Sequence, residues 1–135
     1  MSINSTPINT PINIAINGFG RVGRSVVRAL YESGRQQQFK LVAINEIAEP
    51  PAIAHLLKYD TAHGRFGHHV SIENEKLKID DHNIALLHCE RIEDIDWRRY
   101  NVDIVLECTG FYSERAEAQN HIKQGARKVL FSQPA

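Results

Sequence analysis

Short runs of aliphatic residues recur along the chain, and most of them are followed by segments with helical spacing. The runs lie at Ile12–Asn17, Phe39–Ile44, Val102–Glu107 and Lys128–Ser132. Runs this short and this apolar are typical of parallel strands that are buried on both faces. The helical segments lie at Arg21–Ser33, Ala52–Lys58 and Ser113–Gln124, and the glycines Gly34 and Gly125 stop the first and the last of them. This alternation predicts an α/β fold with a Rossmann-type doubly wound parallel sheet, covered on both faces.

The segment from Gly67 to Cys89 has a different pattern, because its aliphatic residues are spaced for short strands. Asn74-Glu75 and Asp81-His82-Asn83 supply turn residues between these strands. We therefore expect an antiparallel meander inserted between the parallel elements. The preceding segment, Lys58–Phe66, is polar and predicts an ordinary surface loop.

The composition is that of a globular domain. The 135 residues are 42% hydrophobic and 24% charged, and sixteen basic residues balance sixteen acidic ones. This balance gives no sign of a nucleic-acid surface or a polybasic membrane patch, and the apolar runs are too short for a membrane span. We expect a cytoplasmic protein without nucleic-acid or membrane partners, with a flexible leader at residues 1–11 and one domain at residues 12–135.

The cysteines and histidines show no recognisable reactive pattern. Cys89 and Cys108 are too few for a disulfide framework and are predicted to be reduced and partly buried. Five histidines, at His63, His68, His69, His82 and His88, are predicted to be solvated, since their spacing fits no known metal-ligand pattern. Trp97 is predicted to be a packing anchor.

Three glycines directly follow the first predicted strand. Gly18, Gly20 and Gly23 form the pattern G-x-G-x-x-G between that strand and a helix. In a dinucleotide-binding unit the first glycine allows a tight turn, the second lets the backbone approach a pyrophosphate, and the third lets the helix lie close to the sheet. The N-terminus of the helix would then face the phosphates. Glycine clusters also form plain turns, but a strand before and a helix after the motif favour dinucleotide binding.

An acidic residue follows the second predicted strand. Glu46 lies near the expected distance of about 20 residues after the last glycine for an acid that binds ribose hydroxyls. A carboxylate there would repel the 2′-phosphate of NADP, so the sequence favours NAD. A solvated acid at a strand end is the alternative, and the upstream glycines make it the weaker one.

Polar residues or glycines follow four of the predicted strands. They lie at Asn17–Gly23, Asn45-Glu46, Thr109-Gly110 and Ser132. Ligands of open parallel sheets bind beyond the carboxyl ends of the strands. The four strand ends therefore predict one binding crevice.

The motifs together resemble the glyceraldehyde-3-phosphate dehydrogenase superfamily. They are A-I-N-G-F-G-R-V-G-R at 15–24, A-I-N-E at 43–46, L-L-K-Y-D-T-A-H-G-R-F at 56–66, E-C-T-G at 107–110 and K-V-L-F-S-Q-P-A at 128–135. Within the superfamily, R-A-L-Y-E-S-G-R at 28–35 and the glutamate at position 46 are more similar to D-erythrose-4-phosphate dehydrogenases. That resemblance implies NAD-dependent oxidation of D-erythrose 4-phosphate to 4-phosphoerythronate, on the route to pyridoxal phosphate.

The resemblance also implies individual roles in NAD binding. Arg21 and Val22 would contact the pyrophosphate through their backbone, Arg91 would lie near the adenine, and Ser132 would lie beside the nicotinamide. The full set of predicted NAD-binding residues is Asn17, Gly18, Phe19, Gly20, Arg21, Val22, Gly23, Glu46, Arg91, Thr109, Gly110 and Ser132.

The catalytic residues of the family have no match in this sequence. The resemblance implies a nucleophilic cysteine in an S-x-A-S-C-T-T-N segment beyond the matched part, and an activating histidine further on. Cys89 and Cys108 match neither role. We therefore expect an NAD-binding domain that is inactive alone and belongs to a longer, tetrameric enzyme. A glyceraldehyde-3-phosphate dehydrogenase and a stand-alone NAD-binding module are the alternatives.

Overall fold

The computed structural model describes residues 10–60, 64–110 and 115–132. Nine strands lie within these ranges: β1 (Ile12–Asn17), β2 (Phe39–Asn45), β3 (Tyr59–Asp60), β4 (Gly64–Arg65), β5 (Val70–Glu73), β6 (Lys76–Ile79), β7 (His82–Leu87), β8 (Ile104–Glu107) and β9 (Lys128–Phe131). Seven of them form one sheet in the order β5-β6-β7-β2-β1-β8-β9. Strands β3 and β4 form a separate antiparallel pair.

The sheet is parallel at its centre and antiparallel at one edge. Strands β7, β2, β1, β8 and β9 pair in parallel, whereas β5 and β6 form an antiparallel meander with β7. The predicted fold class is therefore confirmed. Strand β7 belongs to both parts, so the meander extends the parallel sheet rather than forming a separate layer.

Two details of the meander and its approach differ from the prediction. The second turn lies at Asp80-Asp81, where Asp80 has a φ of 54°, and His82 and Asn83 already belong to β7. The predicted loop at Lys58–Phe66 contains the β3–β4 pair, because the backbones of Tyr59 and Arg65 are in register. Residues 61–63 of that loop lie outside the described residues.

Within the same ranges, three α-helices accompany the sheet: α1 (Arg21–Glu32), α2 (Pro50–Lys58) and α3 (Arg115–Lys123). Short 3-10 helices lie at Arg35–Gln37, Ile92–Asp94 and Trp97–Tyr100. Gly34 follows the C-cap residue of helix α1, as predicted, and its φ of 74° suits that position. Prolines at the first turn of α2 cost nothing, because those N–H groups have no partner within the helix. The predicted start of α3 at Ser113 and most of the predicted leader lie outside the described residues.

Helix α1 packs Val26, Val27 and Leu30 against the core, and it also buries a charged residue. Val22 is 47% exposed, whereas Arg28 is 3% exposed. The Arg28 guanidinium donates hydrogen bonds to the carbonyl oxygens of Leu57 (2.9 Å) and Gly64 (2.6 Å), and it lies over the ring of Phe66. Arg28 therefore ties α1 to the carbonyl end of α2, where a cation is favourable.

The core lies on both faces of the sheet. One cluster contains Ile16 and Ile44 with residues of α1, α2 and the meander, and the other surrounds Trp97, which is fully buried as predicted. Strand β1 lies between β2, to which α1 connects it, and β8, which comes later in the chain. The chain thus reverses direction across the sheet at β1, which is where open α/β sheets bind ligands. In the part of the chain that the structure describes, no helix is long and apolar enough to cross a membrane.

Candidate cofactor site

The glycine turn, Gly18–Gly23, links β1 to α1 at the reversal point. Gly18 has a φ of +93°, and a Cβ at this position would lie 2.7 Å from the backbone nitrogen of Thr109. A Cβ on Gly23 would lie 2.6 Å from the carbonyl oxygen of Gly18. The turn is therefore packed too closely for side chains at both ends.

Gly20, in the middle of the same turn, is in the opposite situation. It is exposed, and a Cβ built on it would meet no atom within 4 Å. Glycine at this position is therefore not required by packing within the described residues. It leaves open space in front of the first turn of α1, which fits the close approach of a pyrophosphate.

Glu46 braces the glycine turn from the end of β2. Its Oε1 accepts a hydrogen bond from the backbone N–H of Phe19 (2.6 Å), and its Oε2 accepts one from the N–H of Ala48 (3.1 Å). The sequence indicated only a ribose contact for Glu46. A carboxylate has about four acceptor sites, so two remain available for ribose hydroxyls.

A crevice of about 400 Å³ lies beside Gly20 and Glu46 at the carboxyl ends of the strands. This cofactor crevice is lined by Asn17, Gly18, Gly20, Asn45, Glu46, Ile47, Cys89, Glu90, Arg91, Ile92, Cys108 and Thr109. A second cavity of about 430 Å³ lies between α1 and the sheet, with walls that include Ile14, Leu30 and Leu41. A dinucleotide needs polar partners for its riboses and phosphates, and the cofactor crevice supplies them.

Two buried asparagines hold the floor of the crevice together. Asn45 exchanges two hydrogen bonds with the backbone of Cys89, and its amide also donates to the Oδ1 of Asn17 (2.8 Å). The amide of Asn17 in turn donates to the Oε1 of Glu107 (2.7 Å). These bonds connect the ends of β7, β2, β1 and β8.

Glu107 accepts hydrogen bonds from two further residues besides Asn17. Its Oε1 also accepts from His121 Nε2 (2.8 Å), and its Oε2 accepts from the backbone N–H (3.1 Å) and hydroxyl (2.6 Å) of Thr109. Beyond it, the indole N–H of Trp97 donates to His121 Nδ1 (3.0 Å). We call this chain of hydrogen bonds, from Cys89 to Trp97 through Asn45, Asn17, Glu107 and His121, the buried network.

The buried network controls the charge of Glu107, whose side chain is fully buried. Burial alone raises the pKa of a carboxyl group, but the hydrogen bonds from His121, Thr109 and Asn17 outweigh it. The pKa of Glu107 therefore lies below its ordinary value, and the group is a carboxylate at neutral pH. The sequence indicated Glu107 only as the last residue of a strand and no role for His121. A glutamate ending an apolar strand was the one available signal.

Neither cysteine is prepared to act as a nucleophile. Burial, with the negative charge of Glu107 as the second cause, raises the pKa of Cys108 to about 11. Burial and Asp94 raise the pKa of Cys89 as well. Both thiols are free and half-buried, as predicted, and both are protonated at neutral pH.

The structure brings six of the predicted NAD-binding residues to the walls of the crevice: Asn17, Gly18, Gly20, Glu46, Arg91 and Thr109. The Arg91 side chain is 70% exposed and lies 3.6 Å from the Glu93 carboxylate. Arg21 and Val22 are exposed at the start of α1, whereas Phe19 and Gly23 are buried beneath the turn. Gly110 follows Thr109 with a φ of +79°, and Ser132 lies at the end of β9, where its N–H donates to the Glu107 carbonyl. The NAD contacts of these residues stay predictions.

Three of the histidines predicted to be solvated have defined partners. His68 lies 2.7 Å from the Asp80 carboxylate, His82 lies 3.1 Å from the hydroxyl of Tyr31, and His88 lies 2.8 Å from the carbonyl oxygen of Glu46. Among the described residues, no three groups of the metal-ligating kind lie together. His63 is outside those residues.

The comparison with known families agrees with this geometry. The family model for the glyceraldehyde 3-phosphate dehydrogenase NAD-binding domain matches residues 12–115. The matched part includes the glycine turn, Glu46 and Glu107, and it identifies NAD as the cofactor. It does not distinguish glyceraldehyde 3-phosphate from D-erythrose 4-phosphate as the substrate. The chain belongs to the glyceraldehyde-3-phosphate dehydrogenase family and forms the NAD-binding domain of an NAD-dependent dehydrogenase.

Proposed function

We propose that this domain binds NAD in the cofactor crevice for an enzyme that oxidises D-erythrose 4-phosphate to 4-phosphoerythronate. NAD binding in this crevice is supported above all by the open space at Gly20, beside a carboxylate that already braces the glycine turn. The choice of substrate is supported by the segment at 28–35 and by Glu46, which are more similar to erythrose-4-phosphate dehydrogenases. Glyceraldehyde 3-phosphate is the alternative substrate.

The residues of the crevice would divide the binding of NAD between them. The backbone at Gly20, Arg21 and Val22 would face the pyrophosphate at the positive end of α1. The free acceptor sites of Glu46 would take the adenosine ribose hydroxyls, and its charge would disfavour the 2′-phosphate of NADP. Arg91 would lie near the adenine.

The nicotinamide half would lie on the other side of β1, near Thr109, Gly110 and Ser132. NAD supplies the hydride acceptor when it is bound, and the residues of this domain bind and orient it. The two protonated thiols, Cys89 and Cys108, would take no part as nucleophiles. The nucleophile and the sugar-phosphate contacts would come from elsewhere in the full-length enzyme, which we propose to be a cytoplasmic homotetramer.

Calorimetric titration of the 135-residue chain with NAD and, separately, NADP tests the site. We expect saturable NAD binding, weaker NADP binding, and loss of NAD binding in Gly20→Val, because the branched side chain would occupy the pyrophosphate path. Gly67→Val is the matched control, since a Cβ there also meets no atom within 4 Å and the residue lies outside the crevice. Undiminished NAD binding by a folded Gly20→Val variant would contradict the assigned site.

The substrate is tested in the full-length enzyme that contains these residues. We expect a higher kcat/KM for D-erythrose 4-phosphate than for glyceraldehyde 3-phosphate, and the reverse order would identify the alternative. A stand-alone NAD-binding module is the remaining candidate. The mass of the protein isolated from cells decides this point, because a module would have a mass close to the 15.3 kDa of this chain.

A further inference from the structure

The buried carboxylate of Glu107 has neutral hydrogen-bond partners. Asn17 and Thr109 are uncharged, so among the partners that the structure describes only His121 could carry a positive charge. The protonation state of His121 therefore decides whether Glu107 is compensated by an adjacent cation.

The buried network determines the protonation state of His121. An indole N–H can only donate, so the hydrogen bond from Trp97 requires a lone pair on His121 Nδ1. The other ring nitrogen, Nε2, then carries the hydrogen that it donates to Glu107. His121 is thus the neutral Nε2–H tautomer, so none of the described partners of Glu107 compensates its charge.

This charge lies on a particular side of the crevice. Glu46 ends β2 and Glu107 ends β8, and these strands are the two neighbours of β1. A dinucleotide lies across the reversal point, with its adenosine ribose at the acid that ends β2. Glu107 is therefore on the side that receives the nicotinamide. It contacts Thr109, which lines the crevice wall there.

The two redox forms of the cofactor differ in charge at that ring. The oxidised nicotinamide carries a positive charge, and the reduced ring is neutral. We propose that Glu107 is a specificity-determining residue of the crevice, whose uncompensated carboxylate favours oxidised over reduced cofactor. The proposal rests on the proposed function, because it requires that NAD binds in this crevice.

The ratio of the affinities for NAD⁺ and NADH measures this effect. The Glu107 carboxylate would lie several ångströms from the positively charged nicotinamide, and water in the crevice would weaken the attraction between them. We therefore expect Glu107→Gln to lower the ratio about threefold to tenfold. A purely structural defect would weaken both forms together and leave the ratio unchanged. Glu75→Gln is the matched control, because Glu75 is exposed at the first turn of the meander.

Glutamine at position 107 disturbs the buried network, so the double variant Trp97→Phe/Glu107→Gln provides a second protein for the same titration. Without the indole donor, His121 can carry its hydrogen on Nδ1 and accept at Nε2 from the glutamine amide. A lowered ratio in every variant that folds supports the proposal. An unchanged ratio in any folded variant overturns it while leaving the proposed function intact, whereas a wild-type chain that binds no NAD overturns both.

Nitrogen NMR of His121 in the wild-type chain tests the charge argument without any variant. At neutral pH we expect one ring nitrogen with a hydrogen and one without. Two protonated ring nitrogens at neutral pH would mean an imidazolium beside Glu107. The imidazolium would cancel the charge, and the proposal would be wrong.

Discussion

The two flanks of the glycine turn each place a carboxylate beside the cofactor crevice, but they hold it differently. On the β2 flank, Glu46 is partly exposed and accepts two backbone hydrogen bonds. On the β8 flank, Glu107 is fully buried and accepts four hydrogen bonds, from Asn17, His121 and Thr109. The partly exposed carboxylate has acceptor sites left for a ligand, whereas the buried one is fully engaged.

This difference shows two ways in which acids serve a binding site. Glu46 can bind a ligand directly because water or a ribose can reach its oxygens. Glu107 acts at a distance, since its oxygens hold Thr109 and Asn17 in place and its charge extends into the crevice. Buried polar groups tolerate little change, because a donor or acceptor left without a partner loses its hydration without compensation.

The largest effect is expected from Glu107→Gln. The glutamine side chain has one acceptor oxygen and one amino group. The amino group would face N–H or O–H groups that now donate to Glu107, and donors cannot bond to each other. We expect a loss of about 3 to 5 kcal/mol in the free energy of unfolding, because about two buried donors are left without an acceptor, at about 1 to 3 kcal/mol each. Denaturant unfolding measures it.

Trp97→Phe sharpens this test. If hydrogen-bond direction is the cause, the double variant should lose less stability than the sum of the two single variants, with a coupling of at least about 1 kcal/mol. Additive losses would show that packing alone explains the cost.

Acid should remove the stabilisation by Glu107 gradually. Its pKa is lower in the folded chain than in the unfolded one, so its contribution is complete above the unfolded pKa and is lost as the pH falls through the folded pKa. The free energy of unfolding of the wild-type chain should therefore decrease below about pH 4.3, the ordinary value for glutamate. In the double variant this part of the pH dependence should be absent, and an identical pH profile would argue against the assignment.

The glycine turn between the flanks gives the next effect. Gly18→Ala adds a Cβ against the backbone of Thr109 at a φ of +93°, so we expect a loss of about 2 to 4 kcal/mol from the steric conflict and the backbone strain. Gly20→Ala is the control, since its Cβ meets no atom within 4 Å. Thermal and denaturant unfolding of both variants should separate them, and equal stabilities would contradict the packing of the turn.

Glu46→Ala removes the carboxylate of the β2 flank and should lower the free energy of unfolding by less. The N–H groups of Phe19 and Ala48 lose their carboxylate partner but can reach water, so we expect a loss of about 1 to 2 kcal/mol. We also expect weaker NAD binding and a smaller preference for NAD over NADP. Glu49→Ala is the control, because Glu49 is exposed and makes no capping hydrogen bond. An unaltered preference between the two cofactors would show that Glu46 does not bind the ribose.

Arg91→Ala should change stability least. Exposed ion pairs contribute about 0 to 1 kcal/mol, and the Arg91–Glu93 pair is of this kind. Arg127 is also exposed, and it pairs with the half-buried Asp103 away from the crevice. We expect Arg91→Ala and Arg127→Ala to be equally stable, with several-fold weaker NAD binding in Arg91→Ala alone. Equal NAD affinities of the two variants would show that Arg91 does not contact NAD.

The sequence itself determined the sheet, the meander and the β2 flank of the crevice. Strand runs such as Ile12–Asn17 and the glycine pattern are local signals, because backbone conformation and burial on both faces act on neighbouring residues. Glu46 was found in the same way, through its distance along the chain from the glycines.

Only the tertiary structure decided the β8 flank. Asn17 and Glu107 are ninety positions apart, and Trp97, Glu107 and His121 come from three different elements, so no spacing along the chain marks them as partners. Arg28 is a similar case. An arginine is usually exposed, but this one is buried because its guanidinium bonds to the carbonyl end of α2, which is distant along the chain. Buried polar groups find their partners across space once the sheet has formed. Which group donates and which accepts, and therefore which group is charged, is decided only by these tertiary contacts.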